Sequence, residues 1–106
     1  MKLPSIVETY FEAEKRGDAD ALARAFAADA VVKDEGAVHT GPDQIRAWWL
    51  AAKEKYHHVA EPLDVTEQGG KVTVRAKVSG QFPNSPAILQ FVFGLRGDTI
   101  VDLEIH

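Results

Sequence analysis

"KVTVRAKVSGQF", residues 71–82, alternates strictly: Val72, Val74, Ala76 and Val78 fall on one side of an extended chain, and Thr73, Arg75, Lys77 and Ser79 on the other. Successive side chains of a strand point to opposite faces, so the spacing predicts a half-buried strand with one face toward solvent. Gly69-Gly70 supplies a hairpin turn before it. After it, "AILQFVFGLRG" (87–97) puts Leu89, Phe91, Phe93 and Leu95 on one face. "DTIVDLEIH" (98–106) then closes the chain as a last strand beyond a turn at Gly97-Asp98. Connections this short predict antiparallel pairing.

Upstream of His58 the period lengthens to that of a helix. "PSIVETYFEAEKRGD" (4–18) places Ser5 three residues before Glu8, a capping-box spacing, and repeats Ile6, Val7, Tyr10, Phe11 and Ala13 until Gly17. "DADALARAF" (18–26) predicts a second helix from an Asp18 cap, with Leu22, Ala25 and Phe26 on its inner side. "VVKDEGAVHTG" (31–41) opens as a strand of β-branched residues and returns near Val38 and His39. A third helix follows in "TGPDQIRAWWLAAKEKY" (40–56), with Pro42 at its first position and Ile45, Trp48, Trp49, Ala52 and Tyr56 inward. Trp48 and Trp49 diverge by about 100° on a helix, so only one points straight into the core and the other lines a pocket or an interface, with core packing the plainer role for both. The predicted fold class is α+β in the order α-α-β-β-α-β-β-β-β, one domain over residues 1–106.

Composition narrows function by exclusion. The 106 residues carry a formal charge of −4 with no lysine or arginine cluster, which argues against nucleic acid and against anionic membrane surfaces as partners. Zero cysteines remove disulfides, thiolate nucleophiles and Cys-type zinc sites. His57 and His58 are neighbours, and His39 and His106 form no spaced ligand motif, so no metal is expected. No Gly-rich phosphate loop occurs, and no cofactor is expected. The N-terminus meets charge too early for a signal peptide, and no run reaches the roughly 18 apolar residues of a membrane span. A cytoplasmic protein is the expectation.

The order of elements, with "GDADALARAFAADAVVKDEG" (17–36) and "HTGPDQIRAWW" (39–49), resembles the nuclear transport factor 2-like superfamily, and within it the SnoaL-like polyketide cyclase and ketosteroid isomerase branch. The resemblance spans about Pro4 to Ile105. It implies a cone in which a curved antiparallel sheet wraps over three helices around a pocket. It also implies two roles by position. Tyr10, ahead of Gly17-Asp18, stands where ketosteroid isomerases carry the tyrosine that donates to the substrate oxyanion. Asp34, closing "FAADAVVKD", stands where they carry the general base. Their second oxyanion donor, a protonated aspartate, falls near Phe93, so steroid isomerisation itself is not implied.

The residues support that chemistry on their own terms. A carboxylate at the mouth of an apolar pocket loses hydration and becomes a better proton acceptor at neutral pH. A phenol facing the same space opposes negative charge developing on a bound carbonyl. The candidate catalytic residues are therefore Asp34, Tyr10 and, as an auxiliary group near the hairpin, His39. The candidate ligand-binding residues are Phe26, Trp48, Phe82, Phe91 and Phe93. The same residues also fit plainer roles: Asp34 and Glu35 an exposed turn before Gly36, Tyr10 a core tyrosine, His39 a hairpin surface residue. Asp102 and Glu104 alternate with Val101, Leu103 and Ile105 and so face outward, where Arg75, Lys77 and Arg96 can offset them. With Ile88 and Val92 among those charges, the outer sheet suits a homodimer.

The expected function is a small-molecule pocket protein, isomerase- or cyclase-like, that transfers a proton on a hydrophobic carbonyl compound. The alternative is a non-catalytic module of the same fold that holds a small hydrophobic molecule or dimerises.

Overall fold

The computed structural model describes residues 1–106. The helices are α1 (Ser5–Arg16), α2 (Ala19–Arg24) and α3 (Pro42–Tyr56). The strands are β1 (Phe26–Asp34), β2 (Ala37–Thr40), β3 (Val59–Gln68), β4 (Lys71–Ser79), β5 (Ala87–Arg96) and β6 (Thr99–Ile105). This is the order predicted from the sequence. The strands form a single curved, unclosed sheet in the order β2-β1-β6-β5-β4-β3. α1 packs against β3 and β6, and α3 against β1 and β2.

The alternation in β4 is realised directly, with Val72, Val74, Ala76 and Val78 all buried. β5 adds Phe91 and Phe93 to the same face, and β6 adds Ile100 and Leu103. From the helices come Val7, Tyr10, Phe11, Leu22, Ile45 and Trp49, completing one contiguous core. Burial of such side chains is worth about 1.5–3 kcal/mol each relative to exposure, which is what holds the helices onto the sheet.

Three local readings are corrected. Pro4, not Ser5, caps α1: the Pro4 carbonyl accepts from Glu8 N at 2.9 Å, Ser5 is already helical, and no capping-box bond forms. Phe26 belongs to β1 and not to the second helix, because the Ala25 carbonyl accepts from Ile100 N at 3.0 Å and draws the chain into the sheet. The sheet is also mixed. β1 runs parallel to β6, pairing Val32 with Leu103, while every other ladder is antiparallel. The helix stops were read correctly: Gly17 takes a left-handed φ of 70° after α1, and Asp18 Oδ1 accepts from Ala21 N to start α2.

On the outer face, Asp102 is met by Lys71, 2.8 Å away, in place of the arginines and lysine expected. Arg75 instead pairs with Asp64 and Arg96 with Asp29.

Gly80, just past β4, brings the sheet against the end of α3, where Gln81 N donates to the Tyr56 carbonyl at 2.6 Å. A Cβ at Gly80 would lie 2.6 Å from that carbonyl oxygen and 3.1 Å from the His58 Cα, both backbone atoms. Gly80→Ala is expected to lower stability by about 1–3 kcal/mol, read as a drop in the denaturant midpoint. An unchanged midpoint would mean that this junction yields freely.

Candidate functional site

A cavity of about 480 Å³ lies between the sheet and α1 and α3, with mostly hydrophobic walls. Three features of the sequence build it. On α1, Tyr10 and Glu14 are four residues apart and share a face. On α3, Trp48, Ala52 and Tyr56 repeat every fourth residue along a face separate from the core pair Ile45 and Trp49. On the sheet, β5 contributes Ala87, Leu89 and Phe91 from one side of its alternation. Phe82 and Asn84 on the β4–β5 loop complete the wall.

Tyr10 is 2% exposed, its ring wedged among Phe11, Phe26, Phe91 and Phe93 at centroid distances of 5.1, 6.1, 6.3 and 5.3 Å. Most of these contacts are edge-to-face, the arrangement aromatic quadrupoles favour. The hydroxyl has no hydrogen-bond partner in the protein, and the residue lines the cavity. Burial first, then the negative fields of Glu14 and Asp34, push its ionisation well above the ordinary tyrosine range. Tyr10 is therefore held as a protonated donor.

Asp34 ends β1 with its carboxylate half-buried on the cavity wall. Trp48 Nε1 donates to its Oδ2 at 3.1 Å. Desolvation raises its pKa above the ordinary aspartate value. The Trp48 bond opposes the rise, Glu35 adds to it, and His39 opposes it. Glu35, which follows with φ of 52°, sits at the exposed rim and accepts from Tyr56 Oη at 3.0 Å.

Of the eight residues proposed from the sequence, Tyr10, Asp34, Trp48, Phe82 and Phe91 lie on the cavity wall. Phe26 and Phe93 do not: they sit behind Tyr10 in the core, where they fix its ring. His39 also stays off the wall and lies over Trp48 at 5.9 Å, acting on Asp34 from outside. The question of the two tryptophans is resolved: Trp49 is core and Trp48 faces the cavity.

One pair was not anticipated. Glu14 is 2% exposed, yet it carries a carboxylate on the cavity wall. Its Oε2 accepts from Ala60 N at 3.2 Å, and its Oε1 lies 2.9 Å from His58 Nε2. The contact is one of proximity and not a hydrogen bond, and no other donor reaches Oε1. His58 is itself on the wall, packed edge-on against Trp49 at 5.8 Å. The available signal was the helical spacing, since Glu14 extends the Val7-Tyr10 stripe by one turn.

The described residues contain no cluster of three or more metal-ligating side chains, and no helix is long and apolar enough to cross a membrane.

The model of the SnoaL-like domain matches residues 7–103. Among solved structures, a candidate polyketide cyclase from Sinorhizobium meliloti is 52% identical, with a TM-score of 0.95 over 98% of this chain and 95% of that one. A protein of ketosteroid isomerase-like fold from Catenulispora acidiphila, solved in complex with trimethylamine, is 24% identical, with a TM-score of 0.86 over 99% of this chain and 86% of that one. A candidate polyketide cyclase from Xanthomonas campestris is 21% identical, with a TM-score of 0.80 over 95% and 86%. The latter two likenesses bear on fold alone. No curated protein matches the chain.

Proposed function

The chain belongs to the SnoaL-like domain family, and on that premise we propose that it transfers a proton on a hydrophobic carbonyl compound bound in the interior cavity, in isomerase- or cyclase-like chemistry. The observation that carries this reading is the pairing, on one cavity wall, of a desolvated carboxylate, Asp34, with an unpartnered buried phenol, Tyr10.

Asp34 takes the proton from the carbon next to the carbonyl, and the C–H electrons move into the new C=C bond as the C=O π electrons move onto oxygen. Tyr10 donates a hydrogen bond to that oxygen and stabilises its negative charge. Two outcomes then balance. Asp34 returns its proton to a carbon of the enolate, which gives exchange or isomerisation. Otherwise the enolate carbon attacks a second carbonyl of the same ligand and closes a ring as the first C=O re-forms, and the new alkoxide takes the proton held by Asp34. Trp48 holds Asp34 in place, and the aromatic packing behind Tyr10 fixes the donor, so both groups are set before the ligand arrives.

The test is hydrogen–deuterium exchange at the α-carbon of a panel of enolisable ketones in D2O, followed by NMR. Exchange above the buffer rate with at least one apolar ketone is expected. Absence of exchange across a panel that includes ketones shown to bind would end the catalytic reading.

A second reading, ligand holding without turnover, is favoured by one particular. The second oxyanion donor of ketosteroid isomerases falls near Phe93, which is fully buried in the core, so a single phenol is left to meet the developing charge. Binding without exchange would select it.

A further inference from the structure

Where carboxylates of this chain are paired across its surface, the partner is a cation: Asp20 with Arg46, Asp29 with Arg96, Asp64 with Arg75 and Asp102 with Lys71. The two at the cavity mouth differ. Asp34 and Glu35 accept hydrogen bonds only from the neutral donors Trp48 Nε1 and Tyr56 Oη. Deeper in, Glu14 meets an imidazole, and no lysine or arginine lines the cavity. Three carboxylates thus share a wall with one histidine and no permanent cation.

The mouth is also aromatic. Trp48 and Tyr56 are tied by their polar tips to those carboxylates, and Phe82 stands edge-on to Tyr56 at 6.0 Å. Rings fixed beside carboxylates are the setting in which organic ammonium groups are held, by attraction to the ring quadrupole together with the nearby negative charge. Tyr56 already accepts one cation: Lys55 Nζ lies 5.0 Å from its ring centroid, on an exposed side chain outside the cavity wall. Lys53, near Trp49, is spent on the His58 carbonyl. Neither ammonium pairs with Asp34, and Lys55 feels the charge of Glu35 from outside the wall without forming an ion pair with it. On the same cavity wall, within the field of Asp34, the 2% exposed Tyr10 offers a hydroxyl with no partner, which asks for an acceptor oxygen.

We propose that the cavity takes a carbonyl compound bearing a cationic amine, its carbonyl oxygen at Tyr10 and its ammonium at the mouth beside Glu35, among Trp48, Tyr56 and Phe82, with Asp34 left free for the α-carbon. Anionic ligands, such as phosphate- or carboxylate-bearing carbonyl compounds, are rejected by the same field. The inference rests on the cavity being the reaction site proposed above, and it adds the charge class of the substrate. A cation at the mouth also offsets the negative charge of the enolate, which otherwise forms among carboxylates.

The test uses three acetophenones of matched size: para-(dimethylaminomethyl)acetophenone, cationic at neutral pH; para-isobutylacetophenone, its neutral isostere; and para-acetylphenylacetate, an anion. Calorimetric titration of the wild-type protein is expected to show the cation binding about tenfold tighter than the isostere. The anion should bind weakest. Glu35→Gln should cut the cation-to-neutral ratio by about threefold or more while the fold, read by circular dichroism, stays intact. Equal or tighter binding of the isostere or the anion would overturn the charge class, as would a ratio indifferent to Glu35→Gln. Tight, cation-selective binding with no α-proton exchange would support this inference while removing the proton-transfer reading, so the two fail separately.

Discussion

Asp34→Asn should lower α-proton exchange by about 10²–10⁴-fold while raising, not lowering, stability at neutral pH. The loss follows from removing the only half-buried carboxylate on the wall that is free of a histidine partner, and general-base catalysis is worth roughly that much. The gain follows from linkage. Folding raises the pKa of Asp34, chiefly by desolvation, so folding favours its protonated form. The associated stability is fully present below the unfolded value and is lost as pH rises through the folded one. At neutral pH the wild-type carboxylate is therefore a cost to the fold. An asparagine there is uncharged at every pH and can still accept from Trp48.

Two measurements check this. The denaturant midpoint of Asp34→Asn should exceed that of the wild type at pH 7, and the two should converge as pH is lowered through the ordinary aspartate range. Wild-type exchange should show an acid limb above the ordinary aspartate value, because only the ionised form accepts a proton. A variant that keeps full exchange would transfer the base role elsewhere, with His58 the next candidate.

Tyr10→Phe should lower exchange by about 10²–10³-fold, the usual cost of removing one donor to a developing oxyanion. It should leave the unfolding midpoint equal or higher. The phenyl ring keeps its contacts with Phe11, Phe91 and Phe93, and the lost hydroxyl breaks no bond within the protein. The hydroxyl opens onto the cavity and is bonded to no protein group, so its removal is not a structural lesion. A fall in both stability and exchange would instead mark Tyr10 as an ordinary packing residue.

The legibility of this protein varied with the range of the interactions. β4 could be read residue by residue, because alternation is a local property and one face is dry. The start of β1 could not. A register shift between Phe26 and Val31 breaks its alternation, and the partner that draws Phe26 into the sheet, Ile100, lies far along the chain. The parallel β1–β6 pairing was hidden for the same reason: short connections speak only for neighbouring strands. Tyr10 was found by its place ahead of Gly17-Asp18 and Asp34 by its place at the end of "FAADAVVKD", and both line one cavity. Glu14 and His58 were missed because a glutamate in "EAEKRG" looks like any solvated helix residue, and 44 positions separate it from the imidazole that it meets. No spacing rule joins such residues before the sheet has curved.

The insertion of β6 between β1 and β5 governs how the protein assembles. Thr99–Ile105 is the seam between a first-half unit, β1 and β2 with the helices, and a second-half meander of β3, β4 and β5. Apart from the contacts of α1 with β3 and β5, the two parts meet through this strand, and without it Phe93 and Val32 lack the Leu103 that lies opposite both. Loop-closure entropy across most of the chain must be met before that contact stabilises anything. Pairing of β1 with β6 is therefore expected to come late in folding, and the cavity, which Ile105 helps to line, is complete only with this seven-residue strand in place.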